Sequence, residues 1–140
     1  MAEIPFVDTH FHLHDLKNPD LKYEWLEWDA VHGFLGDIDA IKPIHYWIED
    51  YIAEIRFANV PKAIHVQAAL GIKDPVEETK WLQAFADKAG YPHGIIAECH
   101  LQDFGQVHRA AAAGLGDLFA AAKAVGDDER VFGGGADGGQ

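Results

Sequence analysis

Ile4-Pro5-Phe6-Val7-Asp8-Thr9-His10-Phe11-His12 opens as an apolar run, Ile4 to Val7, and closes on Asp8, His10 and His12 at strict alternation. Read as a β-strand over Ile4–Asp8, the stretch places side chains two apart on the same face. Both imidazoles then converge at the strand's carboxyl end, with Asp8 beneath them. Two imidazole nitrogens delivered by one strand are the start of a metal site. A zinc-type ion takes three protein ligands plus a water or substrate, so the rest of the chain has to be searched for the others.

Residues 13–44 follow, rich in Asp, Gly and aromatics, with Tyr23, Trp25, Trp28 and Phe34 set among Pro19, Gly33, Gly36 and Pro43. The composition predicts an irregular segment with a short helical piece. A loop of that length in a compact domain is usually functional. Tyr46, Trp47, Tyr51, Ile52, Ile55 and Phe57 then recur at helical spacing, with Glu49, Asp50 and Glu54 between them. The stripe of Trp47, Tyr51 and Ile55 is expected to pack on a sheet. Val60-Pro61 ends the helix, and Lys62–Gln67 is a second strand. Asp74-Pro75 starts a helix from about Val76 to Ala89, since proline suits the first helical position. Trp81, Leu82, Phe85 and Ala89 mark its apolar side, Glu77, Glu78, Lys80 and Lys88 lie largely outside it, and Gly90 fits the C-terminal cap. Gly94–Glu98 is a third strand.

Helices alternating with short β-branched strands argue for a parallel sheet built from right-handed βαβ units. At 140 residues the chain holds one modest domain with a real core. Its net charge of −12 argues against nucleic acid or an anionic membrane as partner. Cys99 is the single cysteine, so no intrachain disulfide forms. No charged leader opens the chain and no apolar run is long enough for a bilayer, which makes the cytoplasm the default location.

The composition changes after Gln102. Nearly half of residues 103–140 are glycine or alanine, and none is Ile, Pro, Trp or Tyr. Ala110–Ala113 and Leu115–Val125 can form helix, and Phe132–Gln140 reads as a disordered glycine-rich end. The expected division is therefore 1–102 as an authentic domain start and 103–140 as an Ala/Gly-rich tail. A reading-frame shift or another truncation is the simplest origin for such a break. Gly133-Gly134-Gly135 lacks a preceding strand and a following Lys-Ser/Thr, so it is not a phosphate loop.

Several elements carry a family likeness: Val7-Asp8-Thr9-His10-Phe11-His12 with Leu13-His14-Asp15, Tyr23-Glu24-Trp25-Leu26, His65-Val66-Gln67-Ala68, Asp74-Pro75-Val76-Glu77-Glu78-Thr79 and Gly94-Ile95-Ile96-Ala97. Over roughly residues 4–102 the chain resembles the amidohydrolase superfamily, specifically its amidohydrolase-2 group, and within it sugar-lactonase-like and pyrone-dicarboxylate-lactonase-like proteins. The resemblance implies a (β/α)8 TIM barrel with its active site at the carboxyl ends of the strands. A whole barrel needs about 250 residues, so this chain is expected to hold about three parallel strands with covering helices. The family's later histidine and late-strand aspartate have no counterpart here.

The resemblance implies a hydrolase acting on a lactone or a related ester or amide. His10 and His12 are the expected catalytic residues and ligands of a divalent metal, zinc or manganese, in an incomplete site. Tyr23 and Trp25 in the first loop, Gln67 after the second strand and His100 after the third are the expected substrate contacts. His65 and Glu98 share those strand ends, with strand-end polar residues as the plainer reading. Tyr23 and Trp25 serve equally well as a loop packed on its own aromatics. Cys99 reads as a small buried hydrophobe. The expected partner is a small molecule, and open sheet edges allow self-association. A non-catalytic partial-barrel interaction module and an amidohydrolase-related decarboxylase are the alternatives.

Overall fold

A computed structural model describes residues 4–33, 35–113 and 123–124. The architecture is mixed α/β. Strand β1 (Val7–Phe11) is followed by a 3-10 turn (Glu24–Leu26), helix α1 (Ile48–Ile55) and strand β2 (Lys62–Val66). Helix α2 (Val76–Ala89), strands β3 (Gly94–Ile96) and β4 (Glu98–Cys99), helix α3 (Phe104–Ala113) and strand β5 (Lys123–Ala124) complete the order. β1, β2 and β3 form a parallel sheet in that order, and β4 pairs in parallel with β5. The parallel α/β reading is thus realised for the first three strands.

The strand bounds differ from expectation in an instructive way. The first strand begins at Val7, because its apolar lead has little to lie against: Ile4 is 86% and Phe6 52% exposed, and the Phe6 amide donates to the Asn59 carbonyl at 3.0 Å. His10 therefore lies inside the strand. The third strand stops at Ile96, and Glu98 pairs separately in β4. Where helix was expected over Leu115–Val125, the described residues Lys123–Ala124 form β5. The rest of that span and the glycine-rich end lie outside the described residues.

Regular alternation also fails within β1. Asp8 pairs with Ala63 and Phe11 with His65, so β1 spends one residue more than β2 over the same interval. This extra residue is a bulge, and it switches the side-chain parity of everything before it. Asp8 and Phe11 consequently meet the same side chain: the Tyr51 hydroxyl donates to Asp8 Oδ2 at 2.9 Å, and the Tyr51 ring stacks on Phe11 with centroids 4.0 Å apart. Asp8 thus turns toward α1 instead of lying beneath the imidazoles, and its Oδ1 accepts the His10 amide at 3.1 Å.

Helix α1 begins where Asp50 reaches back to accept the Trp47 amide at 2.9 Å. As the residue before the helix, Trp47 stays 41% exposed, and Ile48 takes the core position expected of it. Helix α2 runs over the expected residues. Asp74 Oδ1 accepts the Val76 amide at 3.2 Å, Glu77 and Glu78 favour the positive end of the helix dipole, and Gly90 closes it at φ 76°. Phe11, Leu13, Ile48, Tyr51, Ala63, Leu82, Ile95 and Ala97 make the main core, flanked by Trp81 and Phe85. Each large aliphatic side chain buried there contributes about 1.5–3 kcal/mol.

That core covers one face of the sheet. Ala63 and Ile95 are buried under the helices, whereas Ile64, Val66 and Ile96, alternating with them, stay half-buried. A second cluster forms where the first loop docks on the β2–α2 connection, with Leu21, Tyr23 and Leu26 against Ala68 and Ala69. α3 packs on α2, so the chain stays joined to the body beyond Gln102.

Candidate functional site

His10 and His12 are brought together. Their Nε2 atoms lie 3.1 Å apart, with the rings edge-on at 84°. The His12 ring is fixed from its other side, because Nδ1 lies 2.9 Å from the Val66 carbonyl. A carbonyl only accepts, so Nδ1 carries the proton and Nε2 presents a lone pair toward His10. Ligating histidines are oriented in this way, one nitrogen donating to a carbonyl or carboxylate and the other facing the metal. Burial, offset in part by the Val66 contact, and the neighbouring His10 hold His12 below the usual imidazole range, which keeps it neutral.

The donor set can be tested against a divalent ion. Ligands at about 2.0–2.1 Å from zinc stand about 3 Å or slightly more from one another, and the separation of the two Nε2 atoms fits that edge. With no cation between them, the same separation suits one proton donated from His10 to His12. Among the described residues no group of three His, Cys, Asp or Glu side chains is placed to hold a metal ion. The residues present fit two positions of a metal site and leave the third to be supplied.

Behind the pair sits His65, which is fully buried. Its Nε2 accepts the Leu13 amide at 2.9 Å, and its ring lies edge-on to Phe11 and to His12. Burial pushes it down to about 3, so it is neutral at all ordinary pH values. The alternation of His65 with Gln67 signalled a polar strand end, but a contact to an amide 52 positions away has no signature in sequence. His14 is buried among the rings of Tyr23, Trp25 and Tyr46, and burial lowers it too.

The expected substrate contacts are divided. Gln67 follows Val66 directly, and its amide donates to Glu98 Oε2 at 3.1 Å and to the Ala69 carbonyl, joining the ends of β2 and β4. Trp25 lies near the same strand end: its indole N–H donates to the Ala68 carbonyl at 2.7 Å. Tyr23 is buried in the second cluster, where its hydroxyl accepts the Asp15 amide at 3.1 Å. His100 is exposed, and its backbone amide donates to Gln106 Oε1 of α3 at 2.6 Å.

Glu78 departs from its expected place outside the apolar side of α2. It is 2% exposed, and its Oε1 accepts the amides of Ala68 at 3.0 Å and Ala69 at 2.8 Å. Burial pushes its carboxyl up to about 7 against the pull of those two amides. Glu78 thus anchors the connection on which Gln67, Trp25 and Tyr23 converge. A cleft of about 470 Å³ opens beside this anchor, between Pro19–Lys22 and Gly71–Asp74. A second, of about 370 Å³, lies at Trp28, Asp39 and Lys42, and the imidazole pair lines neither. Instead the pair stands on the uncovered face of the sheet.

Comparison with known proteins adds one relative. The chain is 42% identical over 96 residues to an uncharacterized protein, y4mH, of Sinorhizobium fredii (strain NBRC 101917 / NGR234), a match covering 69% of this chain and 31% of that protein. The chain therefore spans about a third of the length of the curated relative it matches. No family model matches the sequence, and no solved structure matches it. Among the described residues no helix is long and apolar enough to cross a membrane.

Proposed function

We propose that this chain forms the first part of an amidohydrolase-like TIM-barrel hydrolase, acting on a lactone or a related ester or amide. The observation that carries the reading is the convergence of His10 and His12 at 3.1 Å, with the His12 tautomer fixed by the Val66 carbonyl. The parallel order β1-β2-β3 agrees with it, as does the half-open face on which the pair stands. Parallel sheets are normally covered on both faces, and the greater length of the curated relative leaves room for further strands.

In this reading His10 and His12 hold a divalent ion, zinc or manganese, with a third ligand from outside the described residues. The ion would supply a Lewis acid for the carbonyl and acidify the attacking water. His12 remains a neutral nitrogen donor because burial and the neighbouring His10 hold it so against the pull of Val66, whose carbonyl fixes the one proton on Nδ1. Gln67 and Trp25 border the strand end next to the pair and would orient the substrate. Asp8 is committed to Tyr51 and the His10 amide, so it is not the general base. That proton acceptor, like the third ligand, belongs to the remainder of the barrel, and this chain alone is expected to be inactive.

Equilibrium dialysis against Zn²⁺ or Mn²⁺, wild type beside His10→Ala/His12→Ala, tests the site. Weak binding, in the micromolar to millimolar range, should be lost in the double variant; equal and negligible metal in both ends the metal reading. Because this chain alone is expected to be inactive, sugar-lactone hydrolysis by the His10→Ala/His12→Ala variant would refute the mechanism. A non-catalytic interaction module is the second reading, favoured by the exposed apolar residues Ile4, Phe6 and Val7 along β1 and its lead.

A further inference from the structure

Both contacts that aim His12 come from neighbouring residues of β2, and one of them is a side chain. Val66 takes the His12 Nδ1 proton with its carbonyl, while His65 takes the Leu13 amide with its ring. Regular pairing of β1 with β2 ends at Phe11, after the bulge has put the strands out of step. Leu13 lies beyond that point and is fully buried. A buried amide needs an acceptor, and His65 Nε2 stands where a ladder carbonyl would otherwise be.

We infer that His65 is a positioning residue for His12: by holding the peptide between His12 and Leu13 it lets the His12 ring keep Nδ1–H on Val66 and turn Nε2 toward His10. The inference deepens the metal reading and takes its purpose from it. To accept the amide, Nε2 of His65 must be bare, so the His65 proton resides on Nδ1. That atom is buried and has no hydrogen-bond partner among the described residues. A leucine would fill the space without burying a polar atom, and a glutamine would reach the same amide through its carbonyl oxygen. Histidine supplies the acceptor on a flat, rigid ring that also lies edge-on to both Phe11 and His12. The acceptor, not the bulk, is therefore the property to remove.

The test uses the full chain, labelled with ¹⁵N and free of metal. Long-range ¹H–¹⁵N correlation reads the tautomer of each imidazole, amide exchange reads the Leu13 bond, and Zn²⁺ titration reads the site. In the wild type, His12 and His65 should both be protonated on Nδ1. His65→Leu should leave His12 as a mixture of tautomers, speed Leu13 exchange at least about tenfold and weaken Zn²⁺ binding about 10–100-fold. His65→Gln should restore all three. An unmixed His12 tautomer in folded His65→Leu overturns the inference, and so does a folded His65→Gln with mixed tautomers. If His65→Leu does not fold, His65→Gln decides alone; if neither folds, His65 is a core residue only and the inference falls. A protein that shows the tautomer shift yet binds no Zn²⁺ in any form retires the metal reading and keeps this one.

Discussion

Replacing Glu78 with glutamine should stabilise the protein at pH 8 and change it far less at pH 5. The carboxyl is buried, accepts two backbone amides and is pushed up to about 7 from an ordinary 4.5. Between those two values the folded chain holds a proton that the unfolded chain has released. Stability therefore falls as pH rises across this window, by about 1.4 kcal/mol per pH unit, and the loss is complete above it. Integrated from pH 5 to pH 8, the cost is about 2.5 kcal/mol. Glutamine keeps the shape and an oxygen for the Ala68 and Ala69 amides, and it cannot ionise. The urea midpoint of Glu78→Gln relative to wild type should thus rise by about 2 M between pH 5 and pH 8, taking an m-value of about 1–1.5 kcal/mol/M. His12, His14 and His65 have lowered values and impose the opposite slope, but they are common to both proteins and cancel in the difference. Glu98, whose charge helps to raise Glu78, is present in both proteins, and Tyr23, which Glu78 helps to raise, titrates well above this window. Midpoints that run parallel from pH 5 to pH 8 would refute the reasoning, because they would mean that water reaches the carboxyl.

Three further substitutions probe single contacts and backbone positions of the fold. Tyr51→Phe keeps the stack on Phe11 and removes only the hydroxyl that binds Asp8, so it should cost about 1–2 kcal/mol in urea unfolding; no measurable loss would mean that Asp8 is held by water. Gly90→Ala meets open space at φ 76° and should cost about 1–2 kcal/mol from backbone strain alone. Gly71→Ala, at φ 82°, also meets the Glu24 side chain and should cost more, with the excess disappearing in a Glu24→Ala background; an excess that persists there would refute the contact.

What the sequence disclosed depended on the range over which each signal acts. The bounds of α2 are local, set by Asp74-Pro75 at one end and Gly90 at the other, and both could be read directly. β2 was legible as an apolar β-branched run. In β1 the apolar run misled, because Ile4 and Phe6 look like strand but are exposed, while His10 and Phe11 look like a strand end yet lie within the strand. The bulge was not legible: alternation predicts one face for Asp8, His10 and His12, and only the Tyr51 hydroxyl, 43 residues away, shows Asp8 drawn off it. Glu78 illustrates the same limit. In a helix's first turn a glutamate normally serves the dipole and faces water, and nothing nearby in sequence announces the two amides that make its burial tolerable. The meeting of His10 with His12 was visible as spacing; the means of aiming them was not.

Because His12 takes its orientation from β2, the imidazole pair is not a portable cassette. Grafting Val7–His12 onto the first strand of another scaffold would transfer the nitrogens and leave behind the carbonyl that chooses which of them faces outward. A designer borrowing this geometry would have to move the two adjacent strands as one piece, bulge included, since the smallest transplantable unit is a pair of strands already in register.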